Sequence, residues 1–351
     1  MGEGRPRRED HGGMTEAELR DLAERALRGM GLALADARDV ADILVAADLA
    51  GHATHGVLRL EAYGDRVARG AIRVDAPITV EQVAPGMVRV DGASAMGPLV
   101  GVRALRAAMD CARECGIGAA FVRNSNHFGA VGPYCLRAAR EGFASLIATN
   151  ASTTIAPTGG REERLGNNPL AIGVPRPGGD PIVLDMAMSV VARGKIRAAA
   201  KKGQAIPDTW ATDREGRPTT DPNAALQGFL LPTGGYKGYG LALMVDLLAG
   251  VLSGAGYLTH VRSWLDHPEL PGNLGHVFIL LDASRLGSSE WLAERVADFA
   301  RIVHETPRAD PDVPVRLPGE SEMATLARHR RDGIEIDASV LEMLEAFASK
   351  A

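Results

Sequence analysis

Aromatic residues make up only 4% of this 351-residue chain, and cysteine occurs three times. With so few large rings, the core has to come from tight packing of small aliphatic side chains and from glycine-dependent loops. The cysteines, Cys111, Cys115 and Cys135, are odd in number and form no CxxC pair. That excludes a disulfide framework and fits a reducing, cytoplasmic compartment. Cys111 and Cys115 stand four apart and are expected as buried thiols on one helix face rather than as metal ligands. No apolar run approaches the ~20 residues that span a bilayer, so no membrane association is expected. Lys and Arg number 39 against 44 Asp and Glu, with no dominant basic stripe, which argues against nucleic acid as a partner.

Several motifs are also missing. There is no HxxxH, HExxH or CxxC, and His52 and His55 lack an obvious third ligand, so no metal is expected. No GxSxG elbow is present. No GxGxxG follows a strand with an acidic residue ~20 positions on, and Gly116-Ile117-Gly118 precedes a strand instead. A Rossmann dinucleotide site is therefore excluded.

What is present reads as a mixture of helices and strands. Residues 1–13 are charged and Gly-rich without an apolar signal core, and are expected to be a disordered tail. Thr15-Glu16-Ala17-Glu18 is a capping-box pattern before a helix from Glu16 to Arg28. Further helices fit Asp36–Leu49 and Val57–Ala68, which makes the first 70 residues helical. Ile78–Val83 and Met87–Val90 flank Pro85-Gly86 as a hairpin. Helices are expected at Leu99–Arg113, Ala130–Arg140, Tyr239–Leu252, Glu290–His304 and Ala338–Ser349. Strands are expected at Ile117–Val122, Phe143–Thr149, Leu170–Val174, Ile182–Leu184 and His276–Leu281, with 204–228 irregular. The fold class is α/β (α+β). A central sheet domain over 76–288 would be flanked by a helical domain built from both chain ends, 14–75 and 289–351.

Four constellations could carry chemistry. Asn124-Ser125-Asn126-His127-Phe128-Gly129 follows a strand and opens a helix, where α/β sites collect. A helix N-terminus beside His127 would favour its neutral ring, which can take and return a proton; the plainer reading is a packed or capping histidine. In Thr54-His55-Gly56-Val57-Leu58-Arg59, with Tyr63 beyond, Arg59 and Tyr63 share a helix face, suited to a carboxylate, or else simply exposed. The Gly- and Asn-rich loop 150–169 could bring backbone amides to a phosphate. Gly234-Gly235-Tyr236-Lys237-Gly238-Tyr239-Gly240 lacks the P-loop spacing but sets a lysine among glycines at a helix start. The basic run Arg193, Lys195, Arg197, Lys201, Lys202 is either a solvated helix face or a contact to a cofactor phosphate or a partner subunit.

In order along the chain, Thr54–Leu60, Ser125–Gly129, Gly166–Ala171, Leu184–Ala187, Ile206–Ala211, Gly235–Leu241 and Asn273–His276 together resemble the type-2 malate/L-lactate dehydrogenase family. That family includes ureidoglycolate and sulfolactate dehydrogenases and cyclic ketimine reductases. The likeness covers about Thr15 to Glu320. It implies a non-Rossmann nicotinamide-binding fold, NAD or NADP as cofactor, a small carboxylic acid as substrate, and a homodimer. It implies His127 as the catalytic acid/base and Thr54, His55, Arg59 and Tyr63 at the substrate, with Arg59 clamping its carboxylate. It implies Asn168, Asp185, Met186, Ala187, Lys237, Asn273, Leu274 and Gly275 at the cofactor. The expected activity is hydride transfer at the 2-position of a 2-hydroxy or 2-oxo acid. The alternatives are reduction of a cyclic imino acid and a non-catalytic binding protein on the same scaffold. Thr54 replaces the family's usual Ser, Ala151 stands where Ser is frequent, and Asn167 replaces Thr in the usual Gly-Thr-Asn-Pro.

Overall fold

The computed structural model describes residues 13–264 and 266–351. Apart from Gly13, the expected N-terminal tail lies outside the described residues. In chain order the helices are α1 (Glu16–Gly29), α2 (Leu34–Leu49), α3 (Arg59–Ala68), α4 (Gly97–Cys115), α5 (Gly132–Arg140), α6 (Arg193–Lys202), α7 (Pro222–Gln227), α8 (Tyr236–Val245), α9 (Ser289–His304), α10 (Glu320–Asp332) and α11 (Ala338–Ala348). The strands are β1 (Thr79–Ala84), β2 (Met87–Asp91), β3 (Ile117–Ser125), β4 (Phe143–Thr149), β5 (Thr153–Ile155), β6 (Leu165–Gly166), β7 (Leu170–Val174), β8 (Ile182–Met186) and β9 (Leu274–Asp282).

Local chemistry accounts for many of these bounds. Thr15 and Glu18 close the expected capping box and start α1. Gly116 at φ 82° ends α4 in the left-handed region that glycine tolerates. Cys111 is buried in α4 as expected, but Cys115, in the last turn, is exposed. The apolar run after α8 winds on as a π-helical segment, Asp246–Leu252, rather than as a continuous α-helix.

Seven strands form one mixed sheet in the order β1-β2-β3-β9-β4-β7-β8. β2 runs parallel to β3, and the other neighbours are antiparallel. Strand register brings distant chain segments to one end of this sheet. Ser125 pairs with Leu274, Thr149 with His276, Ala148 with Leu170, and Leu170 with Met186. The residues that follow β3, β4 and β8, and those that precede β7 and β9, therefore converge there.

One apolar core runs from α1 and α2 through α4 and α5 into the sheet, and takes in α10 and α11. The chain ends meet in it. Met14 bridges to Ile334, and Arg330 Nε pairs with Glu16 at 2.8 Å. α9 takes a different place, where Trp291, Phe299 and Ile302 line an apolar groove with Val174 and Ile182 at the β7–β8 edge. A separate small core, including Ile155, Met188, Ile196, Ile206, Leu230 and Ala242, holds the lobe built around α6, α7 and α8.

Candidate active site

The centre of the converging end is His127, two residues beyond β3. Its backbone is fastened on several sides. Asn126 donates from Nδ2 to the carbonyls of Ser94 (3.1 Å) and Ala95 (2.9 Å), and its Oδ1 accepts from Arg66 (2.9 Å) and the Gly272 amide (3.2 Å). An asparagine amide with both donors and its carbonyl engaged has one available orientation. Gly97, at the start of α4, lies against the Asn126 and His127 carbonyls so closely that any Cβ would collide with them. Phe128 stacks flat on His276, with centroids 4.1 Å apart and planes 6° from parallel. The His276 ring is pinned between Thr149 Oγ1 (2.7 Å) and Ser125 Oγ (2.8 Å). Full burial holds His276 neutral, with its pKa lowered to about 3.

The second wall comes from the segment around α3. Tyr63 Oη lies 2.7 Å from His127 Nδ1, and the His55 ring is centred 5.8 Å from the His127 ring. Asp48, buried under this turn, accepts the Val57 amide at 2.8 Å. Gly56 packs directly on the Asp48 carboxylate, where no larger residue would fit. Burial raises Asp48 to about 7. Thr54 is exposed, and its hydroxyl lies 3.0 Å from His55 Nδ1.

The electrostatics favour a neutral imidazole. Burial lowers the His127 pKa well below its ordinary value, and the Arg59 charge lowers it further. Burial likewise takes His55 down to about 4, with Arg59 and His52 adding to it. The expected source of this effect, a helix N-terminus at His127, is not the operative one. α5 begins only at Gly132, and its first amide is taken by Asp185 Oδ2 at 2.6 Å. Arg59 Nε is buried and meets no hydrogen-bond partner among the described residues. A desolvated guanidinium with an open donor is a strong receptor for an anion.

Thus His55, Arg59, Tyr63 and His127 form one cluster, with Thr54 at its rim. The residues expected at a cofactor are spread along the same sheet end but differ in kind. The side chains of Asn168 and Asn273 are already committed to the fold. Asn168 accepts from the Ala151 amide (2.9 Å) and donates to the Ala242 carbonyl (2.9 Å), and Asn273 accepts from the Asn124 amide (3.1 Å). Both residues have positive φ, 27° and 46°, which Asn tolerates better than most. Leu274 is buried, and Gly275 presses on the Ala249 carbonyl. Asp185 caps α5 beside His52 and Glu322 in a small cavity, with Met186 and Ala187 half-buried behind it. Lys237 is exposed at the start of α8, and Gly234, Gly235 and Gly240 face open space.

One central residue was not singled out from sequence. Trp264 stacks on His127, with centroids 5.2 Å apart and planes 25° apart, and the Arg59 guanidinium carbon lies 5.4 Å from the centre of its ring. A lone tryptophan between prolines and charged residues carries no pattern that would mark it.

A mixed sheet with a neutral histidine, its tyrosine hydroxyl partner and a buried arginine at one end suits proton transfer beside a small carboxylic acid. The malate/L-lactate dehydrogenase family model matches residues 14–345, and the chain belongs to that family. It is 38% identical to an L-sulfolactate dehydrogenase of Methanothermobacter thermautotrophicus, covering 88% of each chain. It is 35% identical to a Δ1-pyrroline-2-carboxylate/Δ1-piperideine-2-carboxylate reductase of Pseudomonas syringae, covering 88% of this chain and 90% of that one. The solved sulfolactate dehydrogenase of Methanocaldococcus jannaschii superposes with a TM-score of 0.89 at 33% identity, covering 96% of each chain.

Proposed function

We propose that the chain is a 2-hydroxy-acid dehydrogenase in which His127 moves the hydroxyl proton and Arg59 holds the carboxylate. The observation that carries this is the buried Arg59 Nε, without a partner among the described residues, beside a neutral His127 whose Nδ1 is engaged by Tyr63. With Nδ1 occupied, Nε2 is the nitrogen left for substrate. A tyrosine hydroxyl both donates and accepts, so Tyr63 can turn to match either protonation state of Nδ1 as the proton arrives and leaves. The substrate carboxylate would offset the Arg59 charge and so raise the proton affinity of His127 as the substrate binds. His55 and Thr54 would complete the substrate wall.

When bound, the nicotinamide supplies the hydride donor or acceptor. The residues present suit such a group. Exposed Lys237, with open space in front of Gly234, Gly235 and Gly240, leaves room for an anionic diphosphate. Asp185–Ala187 and Asn273–Gly275 would frame the same end, with Asn168 and Asn273 acting through backbone they hold in shape. Relatives are named for either cofactor, NADP+ in a sulfolactate dehydrogenase of Chromohalobacter salexigens and NAD+ in the ureidoglycolate dehydrogenase of Escherichia coli, so both belong in any assay.

We further propose a homodimer in which a second copy covers the apolar face of α8 and its continuation, where Leu241, Met244, Leu247, Val251 and Leu252 are exposed. The free thiols of Cys111, Cys115 and Cys135 support a reducing, cytoplasmic location. The lobe boundaries that the sequence suggests, 14–75, 76–288 and 289–351, are kept as a proposal for how the chain divides.

A second reading has its own support in the 35%-identical imino-acid reductase: the same clamp with His127 serving nitrogen in place of oxygen. One experiment separates the two. Consumption of NADH and of NADPH is followed over a panel of 2-oxo acids and cyclic imino acids. Turnover confined to 2-oxo acids supports the first reading, turnover confined to the imines supports the second, and failure to bind either cofactor removes both in favour of a non-catalytic scaffold.

A further inference from the structure

Trp264 lies in the irregular stretch between the turn at Leu258–His260 and β9. A flat apolar group meets two chemically different partners there. The imidazole of His127 is stacked at 5.2 Å, and the guanidinium carbon of Arg59 lies 5.4 Å from the ring centre. His55 stands on His127 at 5.8 Å, and Tyr63 Oη closes on Nδ1. The indole therefore packs against both the proton carrier and the carboxylate clamp of the proposed site.

The segment that bears it is secured at its far root. Arg66 donates to the Leu270 carbonyl at 3.0 Å, and the Gly272 amide donates to Asn126 Oδ1 at 3.2 Å. Arg66 and Asn126 are themselves bonded at 2.9 Å, so the loop root and the backbone beside His127 share one fastening. Around Trp264 the described hydrogen bonds are local: Ser263 accepts from the amides of Asp266 (3.3 Å) and His267 (2.9 Å). Trp264 is held mainly by its stacking on His127 and Arg59, and what those two groups bind must share space with it.

We propose that Trp264 is the specificity-determining wall of the substrate chamber: its indole face keeps the His127 imidazole and the Arg59 guanidinium in register and limits the substituent that a bound 2-hydroxy acid can carry on carbon 3. This rests on the dehydrogenase reading above. A carboxylate on Arg59 and a hydroxyl at His127 fix carbons 1 and 2 of the acid, and the group on carbon 3 must then point along the remaining wall. A broad indole leaves room for a small or flat substituent and excludes a branched one. Removing it enlarges the chamber and frees Arg59 from its packing.

The test compares wild type, Trp264→Phe and Trp264→Ala on 2-oxo acids whose carbon-3 substituents grow from methyl to branched and aromatic. For Trp264→Ala, KM for the smallest acid is expected to rise on the order of tenfold with a smaller loss of kcat, while kcat/KM for branched acids rises, so that the preference inverts. Trp264→Phe should restore most of the wild-type ranking. A uniform loss across all acids, or an unchanged ranking, overturns the proposal and leaves the tryptophan a structural role. A second readout does not depend on turnover. In a Trp210→Phe/Trp291→Phe protein, Trp264 is the sole indole, and its emission should change as oxamate binds. No change at saturating oxamate, with binding shown by calorimetry, also overturns it. If the wild type turns over no acid at all, the dehydrogenase reading fails and this proposal falls with it; if it turns over and the ranking persists in Trp264→Ala, only the wall is wrong.

Discussion

The two flanks of the sheet end differ in how finished they are. Around His127, Asn126 has its donors and carbonyl engaged, His276 has a hydroxyl on each nitrogen, and Tyr63 is locked against Nδ1. Around Lys237, the lysine is exposed and three glycines look into open space. The first flank is built before anything binds, and among the described residues it leaves two buried donors open, Arg59 Nε and Arg66 Nη1. The second is left open to solvent. Chemistry that depends on sub-ångström placement of a proton carrier needs the first kind of construction. Binding a long, charged cofactor tolerates the second.

This contrast can be broken from either side. Arg59→Lys should have the larger effect, because a lysine presents a point charge where a planar fork is called for. KM for the acid is expected to rise about tenfold or more, in line with loss of a charge-assisted bidentate contact, with a smaller fall in kcat. An unaltered KM in steady-state assays would remove Arg59 from the carboxylate. Lys237→Ala tests the open flank. Cofactor Kd, read by fluorescence titration, should rise several-fold, the scale of one exposed charge contact of about 1 kcal/mol, while KM for the acid stays near wild type. Equal changes in both constants would mean that the flanks are not separable.

The smallest expected effect concerns stability beneath the His55 turn. Asp48 is raised from its ordinary 3.8 to about 7 by burial. Its folded pKa exceeds its unfolded one, so the folded state binds the extra proton. Its cost is absent below about pH 4, grows as pH rises toward 7 and is full above that. Asp48→Asn, which can still accept the Val57 amide, should therefore be more stable than wild type at pH 8 and no more stable at pH 4. His55 and His276 act in the opposite sense. Their folded pKa values, about 4 and about 3, lie below the unfolded 6.5, so acidification from 6.5 downward favours unfolding. Denaturant melts of both proteins at pH 4, 6 and 8 isolate the Asp48 contribution; a gain equal at all three would show that burial does not shift that carboxyl.

How much of this was legible in the sequence depended on local pattern. Thr15 and Glu18 announce α1, and alternating or continuous apolar runs announce most of the sheet. α10 escaped notice because only Met323 and Leu326 of its thirteen residues are buried, which leaves too faint a period. β5 and β6 are too short to register, at three and two residues. The π-helical turn at Asp246–Leu252 arises from tertiary demands, with Asp246 accepting the Leu258 amide at 2.7 Å. In the site, His127, His55, Arg59 and Tyr63 stood out because their residue types and spacing suit an acid. Trp264 did not, because its place against His127 and Arg59 brings together chain segments far apart. The helix N-terminus was placed too close to His127 for the same reason: the cap on α5 is Asp185, 53 residues away from Gly132.

A neutral His127, held ready by Tyr63, is the proposed proton carrier. Single-turnover hydride transfer from the preferred reduced nicotinamide to the best 2-oxo acid, in wild type and His127→Ala, tests it most directly. A fall of ~10²-fold or more is expected, the scale of lost general acid–base catalysis, with cofactor Kd and thermal stability close to wild type. A folded His127→Ala protein that transfers hydride at the wild-type rate would contradict it.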